Sequence, residues 1–269
     1  MLSATDLSAC LDFAARMADE TGRMLRAHRT LARGQHASFD TKADASPVTE
    51  IDRRIEAHMR DMIAAAFPQH GILGEEFAPE RLDAEFVWVI DPIDGTKQFI
   101  VGAPVYGTLI SLTCAGRPVI GIIDHPVTNE RWAGAAGRPT TLNDQPVGVR
   151  ACARLSDAVM SCSNPETIPP EGRAGWERVR AATQWRIYGA SCYAYASLAS
   201  GRVDLSVDSG GHREVDYCAL VPVVEGAGGV ITDWEGRPLT IRSGTSILAA
   251  GDRARHAEAL RLLHESPGA

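Results

Sequence analysis

The sequence predicts an α/β protein of layered helices and sheets, and three observations carry that prediction. Apolar residues recur at helical spacing up to Pro68, β-rich runs follow to about residue 135, and strand-like and helix-like segments then alternate to the end. In the first segment, Leu7, Leu11, Ala14, Ala15, Ala18, Gly22 and Leu25 form one stripe, with Asp6, Asp12 and Arg16 off it and Gly34 as the punctuation. Val48, Ile51, Ile55, Met59, Met62 and Ile63 form a second stripe, closed by Pro68.

The period then shortens. "GILGEE" is apolar up to Gly74, and "FVWVI" is a β-rich run that ends at Asp91. "YGTLISLTCAGRPVIGIIDHP" reads as two strands joined at Ala115-Gly116-Arg117, and "RWAGAAG" adds a third. The N-terminal half is therefore expected to be helices on a largely antiparallel sheet. The stretch from Arg138 to Glu171 is rich in Pro, Asn, Asp and Gly and reads as a loose bridge between halves. Beyond it, "QWRIY" and "VDLSV" read as strands, and "SCYAYASLAS", closed by Gly201, as a helix. "EVDYCALVPVVEGAGG" reads as one helix closed by glycines, followed by two more strands and a last helix. The expected organisation is a single domain, 1–269, with subdivisions at about 1–145 and 146–269.

The composition narrows the function. Of 269 residues, 45% are hydrophobic and 23% charged, an ordinary globular balance, and the net charge is −7. An acidic surface argues against nucleic acid as the main partner. No apolar run approaches a membrane span, and the first residues lack the basic-then-apolar pattern of a signal peptide. The six cysteines form no C-x-x-C pair, which fits a reducing compartment. The expectation is a soluble cytoplasmic protein.

The chemistry concentrates in "WVIDPIDGTKQF", Trp88 to Phe99. An apolar strand delivers Asp91, Pro92 turns the chain, and Asp94-Gly95-Thr96 reads as a helix start with Asp94 as its cap. Two carboxylates and the Ile93 carbonyl are hard oxygen donors, suited to Mg²⁺, Mn²⁺ or Ca²⁺. The amides after them could hold a phosphate. Taken alone, the pair equally fits a strand end and a helix cap. Taken alone, Glu75-Glu76 reads more readily as a solvated loop, Asp216 as a bare cap and Asp52 as a solvated helix acid. The Asp91/Asp94 pair, Glu75-Glu76 and Asp216 together sit at strand ends and helix starts, which gather at one edge of an α/β fold. The spacing excludes the D-x-D-G-T phosphatases, because Pro92 and Ile93 separate the aspartates. His125 reads as a loop histidine.

"GEE" (74–76), "WVIDPIDGTKQF" (88–99) and "VDYCALVPVVEGAGG" (215–229) together resemble the inositol monophosphatase-like family of Mg²⁺-dependent phosphatases, over nearly the whole chain. Lys97-Gln98 and "SCYAYASLASGRVDL" are most similar to its histidinol-phosphate phosphatase subgroup. The resemblance implies an αβαβα sandwich and hydrolysis of a small-molecule phosphate ester, L-histidinol phosphate, in histidine biosynthesis, by a homodimer. It implies two or three Mg²⁺ ions, with Mn²⁺ able to substitute. Glu75, Asp91 and the Ile93 carbonyl match the ligands of one ion; Asp91, Asp94 and Asp216 match those of a second. Gly95 and Thr96 match the phosphate-holding amides, and Asp52, Thr96 and Glu75 the groups that act on the attacking water. Ile93, Asp94, Gly95, Thr96, Arg186, Ser191 and Asp216 fall on substrate-side positions. Ser191 stands where the subgroup has Asp. Other readings are a sibling phosphatase acting on inositol, sugar or nucleotide phosphates, and a non-catalytic binder of phosphorylated ligands.

Overall fold

A computed structural model of the chain describes residues 4–28, 37–42 and 47–265. The first helix, α1 (Ala4–His28), buries Phe13, Ala14, Met17, Ala18 and Leu25 along one face. Gly34, its expected punctuation, lies outside the described residues. A short antiparallel pair, β1 (Asp40–Thr41) and β2 (Pro47–Val48), leads into α2 (Glu50–Ala66). Thr49 caps α2 through a reciprocal box with Asp52, and Ile51, Ile55, Met59 and Ile63 form its buried stripe.

The first sheet has seven strands in chain order: β3 (Gly71–Gly74), β4 (Phe86–Asp94), β5 (Gly107–Cys114), β6 (Arg117–His125), β7 (Glu130–Ala135), β8 (Thr141–Leu142) and β9 (Gln145–Pro146). β3 runs parallel to β4, and the other pairs are antiparallel. A short helix, α3 (Thr96–Val101), follows β4. The alternation along β4 explains how both faces are covered. Trp88 and Ile90 face α1 and α2, while Val87 and Val89 face the opposite side.

The second sheet has the order β11 (Trp185–Tyr188), β10 (Val159–Cys162), β12 (Leu205–Asp208), β14 (Ile247–Ala250), β13 (Val230–Thr232). Its outer face packs on α4 (Pro170–Ala182) and α8 (Arg253–His264), with Trp176, Val179 and Leu263 in that core. Between the two sheets lie α5 (Cys192–Ala199), α6 (Glu214–Tyr217) and α7 (Leu220–Gly226). The layers therefore run helix, sheet, helix, sheet, helix, as expected for the αβαβα sandwich.

Two expectations change. The stretch 138–171 is not only a bridge, because it holds β10, an interior strand of the second sheet. β10 is four residues of near-continuous burial and carries no period to read. The late helix is two segments, α6 and α7, interrupted at Cys218–Ala219. Pro222 has no N–H to offer the Cys218 carbonyl four residues back, so the ladder is broken while both residues keep right-handed helical dihedrals. No helix among the described residues is long and apolar enough to cross a membrane.

Candidate active site

Asp91 and Asp94 both lie on β4. Residues three apart on a regular strand point to opposite faces. β4 is irregular here: Asp91 pairs with Leu109 and Asp94 with Gly107, one more step along β4 than along β5. This bulge turns both carboxylates to one side. Pro92 accounts for it, since it cannot donate to the ladder. Its carbonyl instead accepts the Thr108 hydroxyl at 2.9 Å, and the Asp91 carboxylate accepts the Ile93 amide at 2.9 Å. The strand expected to end at Asp91 thus continues through a bulge to Asp94.

Asp216 joins the pair from α6, where its carboxylate accepts the Arg213 amide at 2.6 Å. Oxygen atoms of Asp91, Asp94 and Asp216 all lie within 4.8 Å of one another. Burial first, then the neighbouring carboxylates Glu75, Asp94 and Asp216, hold Asp91 well above the usual carboxylate range. Burial also raises Asp94, against the hydrogen bonds it accepts from Cys192. It raises Asp216 to about 7, partly opposed by His212 and reinforced by Asp94. Three mutually repelling carboxylates in one place leave an uncompensated charge. An all-oxygen set of this kind fits a hard divalent cation rather than zinc.

The other predicted residues surround this cluster. Glu75 follows β3 and touches Asp91. Lys42 bridges it to Glu76, with its Nζ 2.7 Å from an oxygen of each. Burial pushes Glu76 up to about 7, with the Lys42 hydrogen bond opposing. The Ile93 carbonyl accepts the Thr96 hydroxyl at 3.1 Å, which leaves it a second lone pair. Gly95, rather than Asp94, caps α3, with φ +85°. That left-handed conformation suits glycine, and an added Cβ would also crowd the Ser191 Oγ at 3.2 Å.

Asp52 is fully buried, not a solvated helix acid. One carboxylate oxygen accepts the Thr49 amide at 2.8 Å and the Thr49 hydroxyl. The other, Oδ1, is buried without a partner among the described residues. Burial lifts this carboxyl to about 6.

Ser191 opens α5 with φ +48°, a strained conformation for a non-glycine residue. The turn aims the next amide, that of Cys192, at Asp94 at 2.6 Å. Ser191 also lines a cavity of about 380 Å³ with Glu75, Gly95, Thr96, Lys97, Gln98, Ser163 and Asn164. Arg186 is turned elsewhere. Its guanidinium donates to the carbonyls of Arg180 at 2.8 Å and Thr183 at 2.9 Å, bracing the end of α4.

Sequence reasoning missed Lys42, Glu56, Ser163, Asn164 and His212. His212 lies close enough to Asp94 and Asp216 for its charge to pull both downward. No spacing marks these residues, because Lys42, Glu56 and His212 come from separate parts of the chain and Ser163-Asn164 from the loop after β10. His125 is buried at the end of β6, with its pKa lowered to about 4 by burial, so it is no loop histidine.

A layered α/β fold with a carboxylate cluster at strand and helix ends suits a hydrolase that works with divalent metal ions. The chain belongs to the inositol monophosphatase family: the model described as "Inositol monophosphatase family" matches residues 6–267. It is 41% identical to "Bifunctional phosphatase IMPL2, chloroplastic" of Arabidopsis thaliana, over 97% of this chain and 77% of that one. It is 36% identical to a histidinol-phosphatase of Chlorobaculum parvum, over 79% of this chain and 82% of that one. A solved inositol monophosphatase from Zymomonas mobilis superposes with a TM-score of 0.87 at 38% identity, covering 98% of this chain and all of the other.

Proposed function

We propose that this phosphatase is a Mg²⁺-dependent histidinol-phosphatase, hydrolysing L-histidinol phosphate to L-histidinol and phosphate in histidine biosynthesis. The observation that carries the reading is the position of Lys97 and Gln98. They follow the carboxylate motif directly and line the cavity beside it. The similarity to a histidinol-phosphatase over most of the chain supports it.

In this reading Glu75, Asp91 and the Ile93 carbonyl would hold one Mg²⁺, and Asp91, Asp94 and Asp216 a second; Glu75 would also serve a third, weaker ion, and Mn²⁺ could substitute. Bound there, the metal supplies positive charge that lowers the pKa of water and neutralises phosphoryl oxygens. The chain's own groups do the rest. The Gly95 and Thr96 amides, without partners inside the first turn of α3, face the phosphate. Asp52 offers its free Oδ1 to the proton of the attacking water, while Thr49 occupies the other oxygen. The Thr96 hydroxyl donates to the Ile93 carbonyl and so keeps lone pairs to accept from the same water. The water oxygen bonds to phosphorus as the P–O bond to the alcohol breaks opposite it; the leaving oxygen takes a proton from a solvent water, and Asp52 returns its proton to solvent. Ser191 faces the alcohol.

We further read residues 1–269 as one functional unit, with a metal-and-phosphate part to about residue 145 and a specificity part beyond it. It acts in the cytoplasm as a homodimer. Trp185, Ile187 and Tyr188 are exposed on the edge strand β11, an apolar edge of the kind a second copy would cover.

One observation favours a second reading. Ser191 offers a neutral hydroxyl where a carboxylate would meet a cationic amine, which suits an inositol or sugar phosphate. A panel of L-histidinol phosphate, inositol 1-phosphate, a sugar bisphosphate and a nucleotide 3′-phosphate separates the two. L-histidinol phosphate is expected to lead in kcat/KM by about tenfold or more. A lead for inositol 1-phosphate overturns the first reading in favour of the second.

A further inference from the structure

α2 carries two buried carboxylates one turn apart, Asp52 and Glu56, and the reaction as described uses only the first. Glu56 has no exposed surface, yet it is surrounded by donors. Its Oε2 accepts the Glu76 amide at 2.6 Å. Its Oε1 accepts the Phe77 amide at 3.2 Å and the Arg60 Nε at 2.9 Å. A site with three donors calls for a group that only accepts, and a carboxylate is the side chain that does so with both oxygens.

The strand end is shaped to admit this group. A Cβ on Gly74 would lie 2.0 Å from Oε1 of Glu56, so a side chain at that position would drive the carboxylate away. Arg60 grips the same loop from outside. It donates to the Phe77 carbonyl at 3.2 Å, pairs with Glu80 at 3.0 Å, and lies 5.7 Å from the centre of the Phe77 ring. The loop that carries Glu75 and Glu76 is thus fastened to α2.

We propose that Glu56, braced by Arg60, is a positioning residue for the cation site. By holding the amides of residues 76 and 77 it fixes the direction in which Glu75 leaves β3 toward Asp91, and with it the affinity of the cluster for a divalent cation. Two neighbouring amides pinned by one carboxylate set the peptide planes on the far side of Glu75. Without that anchor the Glu75 side chain would have to be ordered by the cation itself, at the expense of affinity. In Glu56→Gln, the amide NH₂ would face a donor and release at least one of the three bonds.

The inference rests on the metal-dependent reading above. Its test is calorimetric titration of Mg²⁺ into the full-length wild type, Glu56→Gln and Arg60→Met, with thermal unfolding of each in EDTA. Glu56→Gln is expected to bind Mg²⁺ about tenfold more weakly, and Arg60→Met about threefold. In phosphate release, the half-saturating Mg²⁺ concentration should rise by similar factors while kcat at saturating Mg²⁺ stays within about threefold of wild type. If the wild type binds Mg²⁺ and the variants bind it equally well while unfolding at lower temperature, Glu56 is only structural and the inference falls. Should Glu56→Gln not fold, Arg60→Met decides by the same criterion. A wild type that binds no divalent cation overturns the metal-dependent reading itself.

Discussion

The site has two rims, and they are built differently. On the first-sheet side, Asp91 to Thr96 sit in a bulged strand whose freed backbone groups are taken up locally: Thr108 serves the Pro92 carbonyl, Asp91 the Ile93 amide and Thr96 the Ile93 carbonyl. On the other side, Gly189 to Cys192 form a corner off an exposed edge strand, with Ser191 held at φ +48°. The first rim concentrates charge in a buried place. The second offers neutral polar groups, Ser191, Ser163 and Asn164. A rim of clustered carboxylates, with Lys42 on Glu75 as a nearby cation, suits the chemistry common to the family. A neutral, sparsely held rim can vary with the alcohol.

Breaking the first rim should have the largest effect. Asp91→Asn leaves the shape of the cluster but removes the carboxylate common to both proposed ions. Phosphate release from L-histidinol phosphate is expected to fall by about 10³-fold, and EDTA to abolish it in the wild type. Residual activity within about tenfold of wild type would mean that the cluster is not the reacting centre.

The second effect is on metal affinity and comes from protonation. Asp216 is raised to about 7, Glu76 to about 7 and Asp52 to about 6, and in each case burial is the leading cause. Because these folded-state values lie above the ordinary carboxyl range near ~4, the groups favour the metal-free fold below that range. That contribution is lost as pH rises through 6 to 7. A divalent cation competes with those protons, so its affinity should fall by about tenfold for each pH unit of acidification per proton displaced. The rise in Tm caused by Mg²⁺ should therefore be larger at pH 8 than at pH 6. A rise that is equal at both, or larger at pH 6, would show that the cation does not bind at Asp216 and the carboxylates around it.

Changing the second rim should be gentler. Ser191→Asp places a carboxylate opposite the alcohol, with metal affinity expected to hold. For a substrate carrying an amine, kcat/KM is expected to rise by roughly tenfold relative to inositol 1-phosphate, the scale of one charged contact in a pocket. A shift away from the amino alcohol would count against the histidinol-phosphate reading.

The two rims also differ in how far the sequence revealed them. The carboxylate rim was legible because "WVIDPIDGTKQF" packs its oxygen donors into a few adjacent positions, and because Glu75 and Asp216 each end or begin a recognisable segment. The bulge was not legible, since Pro92 fits a turn as well as an interrupted ladder. Nor was the burial of Asp52, which depends on Thr49 and the packing of α2 rather than on any local pattern. Lys42 and Glu56 reach the site from other elements, and nothing in their neighbours' composition marks them. At the second rim Ser191 was visible only as a departure from a resemblance. Its positive φ is unreadable in a Gly-Ala-Ser-Cys stretch, where Gly189 takes a positive φ as well and glycine is the residue that favours it.

The smallest effect concerns the link between the rims. Gln98 leaves α3 on the metal side, and its Nε2 donates to the Gly189 carbonyl at 2.9 Å, on the corner that carries Ser191. A single neutral hydrogen bond contributes about 1 kcal/mol net, which corresponds to about fivefold in an equilibrium constant. If the bond holds the corner at the right distance from the phosphate, Gln98→Ala should raise KM by about that factor and leave kcat nearly unchanged, because no reacting group is touched. Metal affinity should not move, since none of the carboxylates loses a partner. A Gln98→Ala variant that lost kcat with KM unchanged would place Gln98 among the groups acting in the transition state and make the two rims one unit. An unchanged KM and kcat would show that the corner keeps its place without Gln98, through α5, the Cys192–Asp94 bond and the Gly189 amide bonds to the Cys162 and Ser163 carbonyls.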